Sequence, residues 1–351
     1  MKAKQKGGAR QSAARNMQAV TGVLNKPIGQ KQVRLLFSII FTLLFGLYGY
    51  LFVTRRPLTQ AVAIIPGVAG VPTFDFMIHG DFGEMQFNKP LAVTVANGRI
   101  YVSDSDNARI QVFDNAGSFL FAFGERGTEI GQLQYPYGIV GDSDGNIYVS
   151  ELRLGRVYVY SAEGEFQREF ATTAREANLI TSPGDIAIVG NTLYLTEITN
   201  NHVLVFNLET EELVKIVGMK GDLLAPNGIA VDEAGYMYVV DTGRQRVVVY
   251  NPDGNPVRVI NGTPNGHGLA SVLINPRGIG VDRAGNIYVV SNLSHTVYVF
   301  NREGQVVHQF GGQGDGNTNF MFPNGLHVDP AGRILVTDTT INRVAVYRIA
   351  R

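Results

Sequence analysis

The chain has 351 residues, 45% of them apolar, with 41 glycines and no cysteine; the missing thiols exclude disulfides, thiolate metal sites and a cysteine nucleophile. Its formal charge of zero hides a division, because residues 1–56 hold ten Lys and Arg and no Asp or Glu, leaving 20 basic against 30 acidic residues beyond them. A basic head on an acidic body points to two environments, and the acidic body argues against nucleic acid as a partner, since phosphate recognition needs positive surface.

Residues 1–34 read as a basic cytoplasmic tail. Leu35–Val53, LLFSIIFTLLFGLYGYLFV, is a run of nineteen residues without a charge. As a helix it spans roughly 28 Å, close to the hydrocarbon thickness of a bilayer, and Tyr48 and Tyr50 lie where interfacial aromatics belong. Eight basic residues precede the run and two follow it, so the positive-inside rule places the N-terminus in the cytoplasm and the remainder outside. The expectation is a single-pass, uncleaved anchor in the cell membrane. The rival reading, a cleaved signal peptide, wants a shorter apolar region with its cleavage site close behind; here the best site, Ala61-Val62-Ala63, stands well past the run. Residues 54–73, rich in Ala, Val, Pro and Gly, read as a linker.

From residue 87 the sequence repeats itself. The units open at Pro90, Pro136, Pro183, Pro226, Pro276 and Pro323, at spacings of 46, 47, 43, 50 and 47. Each divides into four short alternating runs, such as 228–231, 237–240, 246–250 and 257–260. Asp-x-x-Gly turns (Asp142 to Gly145, Asp232 to Gly235, Asp282 to Gly285) separate the first two, with glycine supplying the positive φ. Four strands every ~45 residues predict an all-β, six-bladed propeller. The last unit lacks a fourth strand, and residues 74–79 match one, so they are expected to complete the last blade and close the ring, leaving no open sheet edge. Aromatics at one repeat position (Phe113, Tyr160, Phe206, Tyr250, Phe300, Tyr347) read as core between blades.

The Pro-x-Gly opening, the Tyr-Val-x-Asp close of the second run and the Arg-Val-x-Val-Tyr third run recur in order, and over residues 74–351 the chain resembles the NHL-repeat family of β-propellers. That resemblance implies two metal possibilities from related propellers: calcium held by Asn, Asp and Glu in lactonase-like members, and a histidine-bound metal in an amidating lyase. The six histidines occupy unrelated repeat positions, and only His327 falls on an innermost strand, so the histidine site is not supported. Some relatives bind RNA, which needs a basic face.

An acidic residue closes the second run of most units, with a base five residues later: Asp104/Arg109, Glu151/Arg156, Glu197/His202, Asp241/Arg246 and Asp338/Arg343. In the fifth unit Ser291 and Thr296 replace both, and joint loss is what a structural ion pair predicts, because an unpaired buried charge is costly. The alternative is a ring of carboxylates binding a cation or basic ligand at the channel mouth.

Tyr137, Asn227, Arg277 and Asn324 follow the opening prolines and are expected beside the axis, as a ligand-binding set at the mouth. Asn227 and Asn324 with Glu151 or Glu197 form the alternative, calcium-holding set, although Asn before Gly is also ordinary turn chemistry. There is no nucleophile elbow, zincin motif or phosphate loop. The reading is a binding or scaffold module for a protein, peptide or glycan, without a cofactor. The alternative is a calcium-dependent, lactonase-like hydrolase with its site at the axis. The 260–273 connection, in the longest repeat, is the candidate lip over the channel, and Asn261 and Asn292 fall in glycosylation patterns.

Overall fold

The computed structural model describes residues 71–349 except 81–82, 84–85, 220 and 264–270. The tail 1–34, the apolar segment 35–53, all of 54–70 and the centre of the 260–273 connection lie outside the described residues. Among the described residues no helix is long and apolar enough to cross a membrane.

Six four-stranded antiparallel sheets form the blades of a propeller, each running from an inner strand outward. The inner strands are Pro90–Ala96, Pro136–Gly141, Pro183–Val189, Pro226–Val231, Pro276–Val281 and Pro323–Val328. Five blades are continuous in sequence. The sixth takes its outer strand from the start of the fold, Pro72–Ile78, which pairs antiparallel with Arg343–Ile349. Closure is therefore as the repeat arithmetic requires. The strand starts two residues earlier than expected, inside the stretch read as linker, and a register shift between Phe74 and Phe76 leaves Asp75 unpaired in the ladder.

The core is divided in six, and each part lies between neighbouring blades. One holds Tyr148 and Val157 of blade two against Ile186 and Leu193 of blade three; another holds Val240 and Val247 of blade four against Ile279 and Ile287 of blade five. Alternation on the second and third strands explains this, because each face of a central strand meets a different neighbour. The recurring aromatics are all buried there, Phe113, Tyr160, Phe206, Tyr250, Phe300 and Tyr347 being at most 2% exposed.

The Pro-x-Gly opening has a steric cause. At Gly228 a Cβ would lie 2.2 Å from the Arg277 carbonyl oxygen, and at Gly278 it would lie 2.5 Å from the Asn324 carbonyl oxygen. At these positions inner strands approach one another backbone to backbone around the axis, and glycine leaves the room. Each opening proline pairs with the last residue of the second strand, as Pro226 does with Asp241, and a register shift follows at once. Proline suits that irregular first position because it has no N–H to leave unpaired.

Buried polar side chains fasten blade to blade. Ser105 Oγ donates to the Pro136 carbonyl at 2.6 Å, Thr242 Oγ1 to the Pro276 carbonyl at 2.7 Å, and Asn292 Nδ2 to the Pro323 carbonyl at 2.6 Å. Asn292 is fully buried, so the glycosylation pattern that begins there falls on a side chain enclosed in the fold. The connection from blade two to blade three contains a short helix, Thr172–Glu176, that the all-β reading did not anticipate.

Candidate functional site

The acidic residues that close the second strands sit on the face from which the inner strands start, and all five are completely buried. Each faces its base directly across the second and third strands, as Asp104 faces Arg109 and Glu151 faces Arg156. Ion pairs follow in only two blades, Arg109 Nε to Asp104 at 2.8 Å and Arg246 Nε to Asp241 at 2.7 Å.

Elsewhere the expected pairing gives way. Arg156 turns to the Tyr158 hydroxyl at 3.0 Å and to Glu169 at 3.9 Å. Arg343 donates to the carbonyls of Asp315, Gly316 and Asn319 at 2.8–2.9 Å. His202 leaves Nε2 buried without a partner, and burial lowers its pKa, against the opposing pull of Glu197.

What the acids share is a backbone contact. Asp104 accepts Asn88 N–H at 2.6 Å, Glu151 accepts Gln134 N–H at 2.9 Å, and Glu197 accepts Thr181 N–H at 2.7 Å. Asp241 accepts Leu224 N–H at 2.7 Å, and Asp338 accepts Met321 and Phe322 N–H, both at 2.8 Å. In blade five the Ser291 hydroxyl takes the same place, accepting Ile274 N–H at 2.8 Å. The ring therefore anchors the loop that enters each inner strand, and a hydroxyl suffices where the charge is gone. A buried loop N–H without an acceptor costs about 1–3 kcal/mol, so this position stays polar in every blade.

The four residues expected at the channel mouth come together there. Tyr137, Asn227, Arg277 and Asn324 all line one open mouth of ≈ 830 Å³, which narrows into a cavity of ≈ 30 Å³ lined by the same four residues. Asn227 is held from both sides. Its Oδ1 accepts the Tyr137 hydroxyl and an Arg277 N–H, each at 2.8 Å, while Nδ2 donates to the Ala225 carbonyl at 2.8 Å and to Thr242 Oγ1 at 3.0 Å. Burial pushes the Tyr137 pKa up to about 12, so it remains a donor at neutral pH. Arg277 Nε is buried with no hydrogen-bond partner.

Asp185 also lines the narrow cavity and was not anticipated. It stands where four other blades carry the glycine of Pro-x-Gly, and that departure was the available signal. Its carboxylate accepts Ile186 N–H at 3.0 Å and Ile229 N–H of the next blade at 3.1 Å. Burial raises its pKa to about 7. His327, on the inner strand of blade six, has an enclosed and unpartnered Nε2, and burial lowers its pKa to about 4.

The calcium set suggested by lactonase-like relatives is not assembled. Asn227 Oδ1 already accepts two donors, one of them the Arg277 guanidinium, whose charge repels a cation. Glu151 and Glu197 are buried against loop N–H groups and line neither the mouth nor the narrow cavity. These residues do not fit a hard cation, which wants several free oxygens. Among the described residues no group of three or more His, Asp or Glu is placed to hold a metal.

Comparison with known proteins agrees with this architecture. The NHL repeat model matches residues 87–113, and the SMP-30/Gluconolactonase/LRE-like region model matches residues 205–322. A curated relative, Protein brain tumor of Drosophila melanogaster, is 30% identical over 179 residues, which is 50% of this chain and 13% of that protein. The chain thus corresponds to a small part of that relative's length. Among solved structures, the inactive H270A virginiamycin B lyase of Staphylococcus aureus with quinupristin superimposes with a TM-score of 0.54 at 14% identity, covering 77% of this chain and 82% of that one. A structural genomics protein of unknown function from Bacteroides thetaiotaomicron gives 0.59 at 18% identity, covering 79% and 73%. At such identities the likeness is one of fold. The chain is a six-bladed β-propeller, with an NHL-repeat match in its first blade and an SMP-30/gluconolactonase-like match across its later blades.

Proposed function

We propose that the chain is a membrane-tethered binding module. In this reading the segment 35–53 spans the cell membrane, the tail 1–34 lies in the cytoplasm, and the propeller presents its channel mouth to a protein, peptide or glycan outside. The observation that carries it is the mouth itself. It is a cleft of ≈ 830 Å³ in which fixed polar groups converge on the axis above a floor too narrow for a substrate, and loops positioned by a rigid scaffold are where recognition residues concentrate. The SMP-30/gluconolactonase match is the argument for a hydrolase, but the oxygens of Asn227, Glu151 and Glu197 are engaged by hydrogen bonds within the fold, which leaves Asn324 alone of the calcium set, so binding is the better supported reading.

Site-specific photo-crosslinking in intact membranes tests it. A crosslinker replacing Thr340, on the mouth, is expected to capture a discrete partner. One replacing Tyr236, beyond the turn at the far end of an inner strand, is expected to capture none. Equal capture from both positions, or capture from Tyr236 alone, overturns the assignment. Accessibility of the Thr340 position to an impermeant reagent in whole cells checks the orientation.

A further inference from the structure

We infer that the mouth is a carboxylate receptor, in which Arg277, steadied by Asn227, takes the free C-terminal carboxylate of a peptide. The inference rests on the binding-module reading and names its ligand class. Among the described residues Arg277 forms no ion pair; its guanidinium lies against the Asn227 amide oxygen and the Tyr137 hydroxyl, and Nε is enclosed without an acceptor. A half-buried charge lacking a counter-ion is costly, and a planar fork of donors is the shape that recognises a carboxylate. Asn324 lies beside it on the next inner strand, and its amide makes no hydrogen bond to another described residue.

The surrounding charge has the same sign. Although the body of the chain is acidic, Lys89 and Arg153 both stack on the Tyr135 ring at the rim, 5.2 and 4.7 Å from its centroid. Hydrogen bonding to Tyr135 raises the Lys89 pKa. Against these cations, Asp106 is the one carboxylate among the residues lining the wide mouth. Asp185, in the cavity below, is engaged by two backbone N–H groups, and burial raises its pKa towards neutrality.

Shape selects the end of a chain over a side chain in its middle. Arg277 stands where the mouth narrows to a cavity of ≈ 30 Å³, about the room of one water molecule. A ligand reaches it end-on, with its last side chain against the apolar part of the wall, Leu152, Ile198 and Phe322.

The test is calorimetric titration of the full chain in detergent with four probes: acetyl-alanyl-leucine, its C-terminal amide, acetyl-glutamyl amide and inorganic phosphate. The free acid is expected to bind at least tenfold more tightly than the other three. Arg277→Met is expected to abolish that preference with an unchanged or raised melting temperature, because it removes a charge that the fold does not pair. Equal or undetectable binding of acid and amide overturns the inference, as does phosphate or the glutamyl amide matching the acid, or Arg277→Met keeping the preference. If crosslinks still map to the mouth, those results remove the carboxylate assignment alone. Crosslinks that map elsewhere remove the binding-module reading itself.

Discussion

Replacing Asp338 by asparagine separates the two roles that the acidic ring could play. Asp338 is fully buried and accepts two loop N–H groups at 2.8 Å, while Arg343, across the strand, is bound to three loop carbonyls instead. Asparagine keeps the size but offers one acceptor oxygen, so its NH₂ group must face the second N–H. Exchanging a charge-assisted for a neutral hydrogen bond costs about 1 kcal/mol, and the orphaned N–H costs about 1–3 kcal/mol more. The expected loss is therefore about 2–4 kcal/mol. The ring closes within residues 72–349 and its six cores hold only propeller residues, so urea unfolding of a fragment beginning at residue 71 can be used, with midpoints compared at equal m. A loss below about 0.5 kcal/mol, the range of an ordinary surface change, would refute the loop-anchoring role.

The same reasoning gives the uncharged blade a cost: Ser291→Ala orphans Ile274 N–H and should lower stability by about 1–3 kcal/mol, whereas a salt-bridge role for this position predicts no loss in the same urea titration. Gly278→Ala should destabilise by about 1–3 kcal/mol, because its Cβ would press on backbone atoms of blade six at 2.5 Å; an unchanged urea midpoint would show that the inner strands can move apart. Asp185 holds its proton to about pH 7 in the folded state, while the unfolded chain releases it near pH 4. Stability should therefore fall as pH rises through that window, and Asp185→Asn should lose that part of the slope in melting temperatures measured from pH 4 to 8. Parallel curves for the two proteins would count against a perturbed Asp185.

Much of the fold was legible in the sequence because each blade repeats the same local solutions. Proline opens an irregular first strand, glycine admits a neighbouring backbone, and Asp-x-x-Gly makes the turn, as at Asp232, whose Oδ1 accepts Ala234 and Tyr236 N–H at 3.0 and 2.9 Å. The mouth residues were legible for the same reason, since the position after each opening proline is fixed relative to the axis. The job of the acids was not. Their partners are backbone groups 15–17 positions earlier, and a backbone N–H leaves no mark on residue identity. The joint change to Ser291 and Thr296 suggested a charge pair, but the serine preserves the contact that the carboxylates share. Arg156 was assigned to the acid opposite it, Glu151, because register was readable, whereas its approach to Glu169 on the outer strand depends on side-chain direction.

Ring closure also sets an order for the birth of the protein. Pro72–Ile78 is the first strand of the fold to leave the ribosome, and its partner Arg343–Ile349 is the last. Every other strand pair within a blade can form between neighbours in sequence as synthesis proceeds, but this one joins residues 72 and 349 and must wait. Through that interval the first strand carries unpaired N–H and C=O groups and apolar side chains on both faces, Phe74 and Met77 on one and Phe76 and Ile78 on the other, a state open to pairing with another chain. Blades that assemble early shorten the search for the final pair, because they bring the two ends of the arc together before the last strand exists. A nascent chain stalled before residue 343 would hold five complete blades and one strand still waiting for its partner.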